Sequence, residues 1–402
     1  MHREIDVEAE RAATPGCAQV AHLNNAGAAL PTRATLEAVI GHLQREAERG
    51  GYEAATAASA QLEEVLHAVA RLIGAGHDEI ALTGSDTQAW TKAMWGYALG
   101  GGISSGDRVL VDRLAYNSHY LGLLQVCELT GAAIEVAPST ANGSLDLASL
   151  TGALESGPVA LVAVTQVGTH RGLVNPVEEV GPLCRAAGVP FFVDACQSVG
   201  QLAVDVDAVG CDVLTATGRK WLRGPRGTGF LYVRKDFAER LRPPGISEAS
   251  ARWLGPDRYE LRAGAARFFE FEAPIAAQLG LGVAVEHALG LGLEAVAGRV
   301  GPQGEALRRG LAAIDGVEIH DGGVRRSGIV TFTATGVAPE LVAERSSAAG
   351  INVSVSTSPW ALLDMTAPRP TSVVRASPHY YNTDTELDRL VDVVASVSAS
   401  SR

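Results

Sequence analysis

The sequence predicts an α/β fold, in which a mainly parallel sheet carries helices on both faces and a smaller α+β region follows. Three observations predict it. Short apolar runs alternate with helical patterns from about residue 58 to residue 234, the rhythm of strands joined by crossover helices. That rhythm breaks near residue 242 at RPPGISEASARWLGPDRYE, a Pro/Gly-punctuated stretch expected to be a loop. With 402 residues, 47% of them hydrophobic, the chain can bury a sizeable core and divide into a large domain and a smaller companion.

Each element has its own signal. QLEEVLHAVARLIG (61–74) shows the apolar spacing of an amphipathic helix, EIALTG (79–84) reads as a strand, and TQAWTKAMWGYAL (87–99) reads as the next helix. Further strands are expected at DRVLVD (107–112), AAIEVAP (132–138), VALVAVTQ (159–166), VPFFVDA (189–195), DVLTATG (212–218) and GFLYVR (229–234), each apolar and bounded by turn residues. Residues 274–297, rich in Ala, Leu and Gly, read as one long helix. VEIH (317–320), GIVTF (328–332), INVSVS (351–356) and VVRAS (373–377) read as strands, and a helix from about 383 closes the chain. The expected division is an N-terminal segment (1–30) packing with the small domain, a large domain (31–285) and a small C-terminal domain (286–402).

Charge narrows the function classes. A formal net charge of -12 opposes general binding to nucleic acid or to an anionic membrane, so local basic clusters need local anionic partners. The N-terminal stretch lacks the apolar run of a signal peptide and no later stretch supplies a membrane span, so a cytoplasmic location is expected. Five cysteines without a CxxC pair give no disulfide framework, and no His/Cys spacing points to a metal.

One such basic cluster is TATGRKWLRGPRGTGF (215–230), with Arg219, Lys220, Arg223 and Arg226 among glycines. Ligands of open parallel sheets lie beyond the carboxyl ends of the strands. Asp194 ends one strand and Lys220 follows another, so an acid and an amine face one cleft. They form either a buried salt bridge or the two groups that pyridoxal phosphate needs, a Schiff-base lysine and an acid for its pyridine nitrogen. LTGSDT (82–87) is either an ordinary N-cap or a phosphate cradle at a helix start. In the second case Ser85 and Thr87 would face the anion, and the carboxylate of Asp86 must turn away.

The run VDACQSVGQLAVDVDAVGCDVLTATGRKWLRGPRGTGFLYV (193–233) resembles the cofactor-lysine region of class V aminotransferase-like enzymes. The resemblance extends from LNNAGAALP (23–31) to RASPHYYNT (375–383) and implies the aspartate-aminotransferase-like fold type I architecture. It implies Lys220 as the Schiff-base lysine, Asp194 as the partner of the pyridine nitrogen and Gln197 as the contact to the ring's phenolic oxygen. Thr87 and Thr217 would bind the phosphate, joined by Ser85 and Asp86 at the helix start, with Arg219 where many relatives have His. Tyr116 falls where relatives stack a His on the ring, and Thr169 where an Asn often bonds the ring oxygen. Arg375 would hold the substrate carboxylate, a task that suits a planar fork, with Asn25 and Trp360 as further substrate contacts. His119 and His170 are either catalytic or packed.

The reaction is narrowed by what the chain lacks. Cysteine desulfurases in this family accept sulfur on a thiol of the C-terminal half, yet every cysteine here precedes residue 212, and STSPWALLDMTAPRP (356–370) offers none. GRKWLRGPRGTGFLYV, RWLGPDRYELRAGAARFFEFE (252–272) and VSVSTSPWALLDM (353–365) resemble the C–S lyases of ergothioneine biosynthesis. That resemblance implies β-elimination from a cysteine sulfoxide, with Trp360, Trp253 and Phe268 as walls for a flat leaving group, and a homodimer with shared sites. Epimerisation and transamination are the alternatives. A nicotinamide-dependent oxidoreductase is opposed by LGGGISSG (99–106), which does not satisfy GxGxxG.

Overall fold

The computed structural model describes residues 4–366 and 368–400. Its larger sheet has seven strands in the spatial order Ile80–Thr83, Gly229–Val233, Val213–Thr217, Phe191–Asp194, Val159–Thr165, Arg108–Val111, Ala133–Val136. Only Gly229–Val233 runs against the rest. All seven strands lie within the runs expected from sequence.

Helices on both faces leave the central strands no wet side, which is why they are apolar throughout. On one face Val162, Val193, Leu214 and Phe230 pack with Val65, Val69, Ile73 and Leu281. On the other, Val109, Leu161, Phe192, Val213 and Leu231 pack with Ala89, Trp90 and Met94. Side chains alternate along a strand, so Asp194 projects on the Phe192 side, toward Trp90.

A second, antiparallel sheet has the order Val317–Ile319, Val330–Ala334, Ser372–Ala376, Ser354–Thr357. INVSVS is split. Ile351–Asn352 pairs in parallel with Ala21–His22, while Ser354–Thr357 joins the antiparallel sheet. This pairing ties the N-terminal segment to the C-terminal region.

Two other expectations change. The helix read over 274–297 breaks into Ile275–Leu291 and Leu293–Ala312, bent by 82°. Gly292 has φ +87°, which ends a right-handed helix, yet among Ala, Leu and Gly it leaves no break in the apolar pattern. The stretch read as a loop holds a hairpin, Ala251–Gly255 with Arg258–Leu261. Most of its residues are exposed, so it lacks the alternation that betrays a half-buried strand. Among the described residues no single helix is long and apolar enough to cross a membrane.

The loop after Asp194 is pressed against the loop carrying Lys220. Gly200, at φ +96°, would place a Cβ 2.5 Å from the carbonyl carbon of Trp221 and 2.7 Å from the nitrogen of Leu222. Gly200→Ala combines backbone strain with a backbone overlap and is expected to cost on the order of 3 kcal/mol. Thermal unfolding measures it, and an unchanged midpoint would contradict the close approach.

Candidate active site

Six Lys and Arg side chains are buried among the described residues: Lys92, Lys220, Arg223, Arg267, Arg308 and Arg375. Four have a carboxylate partner. Lys92 meets Glu270 at 3.0 Å, Arg223 meets Glu10 at 3.5 Å, Arg308 meets Asp321 at 2.7 Å, and Arg267 pairs with Glu239. Among the described residues, Lys220 and Arg375 have none within 4 Å. Burying a charge without a counter-charge is costly, so these two mark where an anion or a covalent partner belongs.

Lys220 lies just past the strand Val213–Thr217 and is 8% exposed. Its amine contacts the thiol of Cys196 at 3.3 Å and lies 6.0 Å from the centre of the Tyr116 ring. Burial pushes the Cys196 thiol up, so it stays protonated. Asp194, at the end of the neighbouring strand, accepts from the Cys196 backbone N–H through Oδ1 at 2.9 Å. The salt bridge between Asp194 and Lys220 that the sequence left open is absent; Asp194 Oδ2 lies 3.2 Å from Nδ1 of His119.

Arg375 is held by neutral acceptors. Its guanidinium donates to the carbonyl of Thr169 at 2.8 Å, the Thr169 hydroxyl at 3.0 Å, Ser354 Oγ at 3.2 Å and Asn24 Oδ1 at 3.3 Å. Burial lowers it to about 10, with Tyr116 opposing and Arg219 adding to the shift, so it remains cationic near neutrality. Gln197 also meets Thr169, at 3.2 Å, and its amide oxygen accepts from the Trp221 indole at 2.9 Å. Thr169 thus links the residues expected at the cofactor to the one expected at the substrate. Asn25 does not join them. Its amide donates to the carbonyls of His22 and Ser377, and its oxygen accepts from Tyr381. This fully satisfied residue braces the N-terminal segment, and its neighbour Asn24 is the one that reaches Arg375.

The helix Asp86–Leu99 starts at the same sheet edge. Ser85 caps it, its hydroxyl accepting from the Gln88 N–H at 3.1 Å, and no hydrogen bond occupies the backbone N–H groups of Asp86 and Thr87 among the described residues. Gly229 opens the approach, since a Cβ there would stand 2.8 Å from the Ser85 carbonyl carbon. The exposed Thr87 hydroxyl pairs with Ser118 at 3.1 Å, whereas the Thr217 hydroxyl donates to the Thr228 carbonyl at 3.1 Å. The Asp86 carboxylate turns into the protein and meets His119 Nε2 at 2.8 Å, so only its backbone N–H is left to face an anion. Arg219 is tied to the Gly27 carbonyl.

Trp360 lies nearly parallel to Tyr116, with ring centres 6.5 Å apart. The other two expected walls do not join it. Phe268 is buried in the core beside Ala93 and Leu241, and Trp253 is 82% exposed on the hairpin. His170 is buried and bonded to Asp364 at 2.9 Å. Burial lowers it to about 3, with Arg171, Arg375 and Arg369 adding to the effect, so it is neutral and anchors the Trp360 loop. His119, stacked on Trp90 with ring centres 4.3 Å apart, is the site residue that sequence reasoning left undecided.

Arg223 explains the remaining buried cation of the glycine-rich stretch. It donates to the Leu30 carbonyl at 2.8 Å, to the Tyr380 hydroxyl at 2.7 Å and to Thr14, and it stacks on Tyr381. It thereby joins both chain ends to the Lys220 loop while holding φ at +63°, a conformation L-residues rarely adopt.

An uncompensated buried amine, a buried acid and free N–H groups at a helix start, all at one sheet edge, fit the aldehyde, ring nitrogen and phosphate of pyridoxal phosphate.

The family model for aminotransferase class V matches residues 21–390. A probable hercynylcysteine sulfoxide lyase of Mycobacterium tuberculosis is 33% identical over 97% of this chain and 93% of its own length. A probable cysteine desulfurase of Methanothermobacter thermautotrophicus is 29% identical over 87% of each chain. The structure of a cysteine desulfurase from Thermococcus onnurineus superposes with a TM-score of 0.91 and 26% identity over 100% of both chains.

The paired and unpaired cations should respond differently to removal. Arg223→Met, which strands part of the charge of Glu10, is expected to cost about 3–5 kcal/mol. Arg375→Met removes a charge that burial disfavours, so its cost should stay below about 1 kcal/mol, or stability should rise. Denaturant unfolding of both variants compares them, and equal losses would contradict the distinction.

Proposed function

The chain belongs to the aminotransferase class V family, a pyridoxal phosphate-dependent enzyme family, and from that membership we propose that it is a carbon–sulfur lyase. It would act by β-elimination on a cysteine conjugate or cysteine sulfoxide of the hercynylcysteine sulfoxide type. The observation that carries this choice is the loop Thr357–Asp364, which faces Tyr116 with Trp360 and holds no thiol. With no cysteine after residue 211, neither this loop nor any later segment offers a thiol to accept sulfur. The mycobacterial relative, similar over nearly the whole chain, supports the lyase alternative.

When bound, the cofactor supplies an electron sink for the carbanion formed at Cα. Lys220 and Asp194 would hold it at the aldehyde and the ring nitrogen, and the N–H groups of Asp86 and Thr87, with the Thr87 hydroxyl, would hold its phosphate. Arg375, kept cationic and pre-oriented by Thr169, Ser354 and Asn24, clamps the substrate carboxylate. The amine of Lys220 takes the Cα proton. Trp360, nearly parallel to Tyr116, would limit the approach of water from that side. The Cβ–S bond then breaks with its electron pair going to sulfur; a sulfenate is a good leaving group, so no strong acid need stand beside it. One water is consumed in releasing pyruvate and ammonia, and the sulfenate takes up a proton.

The assembly is proposed to be a cytoplasmic homodimer. Tyr52 at 74%, Trp253 at 82% and Phe271 at 54% exposure supply apolar surface for a second copy.

Loaded with pyridoxal phosphate, the wild type should be yellow and should release pyruvate from cysteine sulfoxide conjugates, and Lys220→Ala should lose both properties. Arg375→Lys should raise KM at least tenfold, because a point charge cannot replace the bidentate fork. Loss of optical activity without pyruvate, or build-up of the cofactor's amine form, would refute the lyase assignment.

A further inference from the structure

His119 has a carboxylate at each ring nitrogen. Nε2 lies 2.8 Å from Asp86 Oδ2 and Nδ1 lies 3.2 Å from Asp194 Oδ2, and all three side chains are buried. A neutral imidazole carries one N–H, so it would leave a bare lone pair beside one of the two carboxylates. The geometry therefore selects the imidazolium. Trp90, stacked on one ring face, adds an electron-rich surface that favours a cation and fixes the ring plane.

We propose that His119 is a positioning residue, held as an imidazolium by Asp86, that keeps Asp194 ionised and oriented toward the cofactor's ring nitrogen. The proposal deepens the pyridoxal phosphate reading and rests on it. Asp194 ends a strand whose other residues are apolar and buried, so its charge needs a partner within contact distance. Lys220 is not that partner. Its amine lies against Cys196, and once joined to an aldehyde it is no longer free to act as one. Asp86 supplies the second charge that lets His119 serve as a stable one.

The other groups around His119 agree. Tyr116 presents its ring edge at 6.1 Å, and burial keeps its phenol protonated; Cys196 remains a thiol; Lys220 acts on Asp86 with the same sign as His119. Burial opposes the imidazolium, yet Asp86 and Asp194 outweigh it and raise His119 to about 10. Burial likewise opposes the Asp86 anion, and His119 overcomes it.

Two measurements test this. The first needs no cofactor. In ¹⁵N-histidine NMR of the cofactor-free chain, with His119 assigned by difference against His119→Gln, both ring nitrogens should stay protonated through pH 8. In Asp86→Asn the imidazolium, left with one carboxylate, should titrate at least one pH unit lower. A neutral His119 at pH 7 overturns the proposal. The second measures retention of pyridoxal phosphate and the visible band. In His119→Gln two carboxylates face each other and share a proton, so retention should fall about tenfold. His119→Gln/Asp86→Asn leaves Asp194 as the sole acid, and most of the loss should be recovered. A double variant as weak as the single one would reduce His119 to packing and overturn the proposal. A wild type that binds no pyridoxal phosphate overturns the functional reading beneath it, whatever the NMR shows.

Discussion

A cation taken out of water needs a counter-charge, and this constraint separates the structural charges of the molecule from the functional ones. Where Arg267, Arg308 and Lys92 are buried, a carboxylate goes with them, and each pair fastens one piece of chain to another. Where Lys220 and Arg375 are buried, the fold offers a thiol, hydroxyls and carbonyls instead. Such partners orient a cation without neutralising it. The cost falls on the empty protein and is offset when a ligand arrives, which is how a site can be both strained and well ordered.

The negative side of the site follows the same logic with the opposite outcome. Asp194 and Asp86 lie close enough to repel, and His119 between them leaves the three groups with one net negative charge. One imidazole thereby lets a helix start, whose free N–H groups attract anions, carry an aspartate without turning its carboxylate toward the anion site. A turned-in Asp86 and an inward-facing His119 are one arrangement. Neither is stable without the other.

How much of this the sequence discloses depends on how local each determinant is. The strands are legible because apolar runs bounded by turn residues are local, and Asp194 and Lys220 are legible because they follow strand ends. Pairings made across the chain are not. His119 meets Asp86 because the helix Asn117–Thr130 turns its first residues toward the Trp90 face, a phase set by packing. Asn24 and Asn25 are adjacent and chemically alike. The bridge between Asn24 and Ser377 fixes which of them reaches Arg375 and which is spent on Ser377 and Tyr381. Arg223 reads as one more cation in a basic loop, and only the meeting of both chain ends around it reveals a brace.

The distribution of protons bears on the chemistry. His170 is adjacent in sequence to Thr169, yet three arginines and burial keep it neutral, and its bond to Asp364 commits it to anchoring the Trp360 loop. His119 holds its proton between two carboxylates and gives it up only far above neutrality. Tyr116 and Cys196 are both held in their protonated forms by burial. The Lys220 amine, set against a thiol and not a carboxylate, is the group that the reaction would use at Cα. A reaction that demanded a separate strong acid for its leaving group would be poorly served here. Expulsion of a weakly basic sulfur group requires a base at Cα and a clamp for the carboxylate, and those two functions fall to Lys220 as a free amine and to the Arg375 guanidinium.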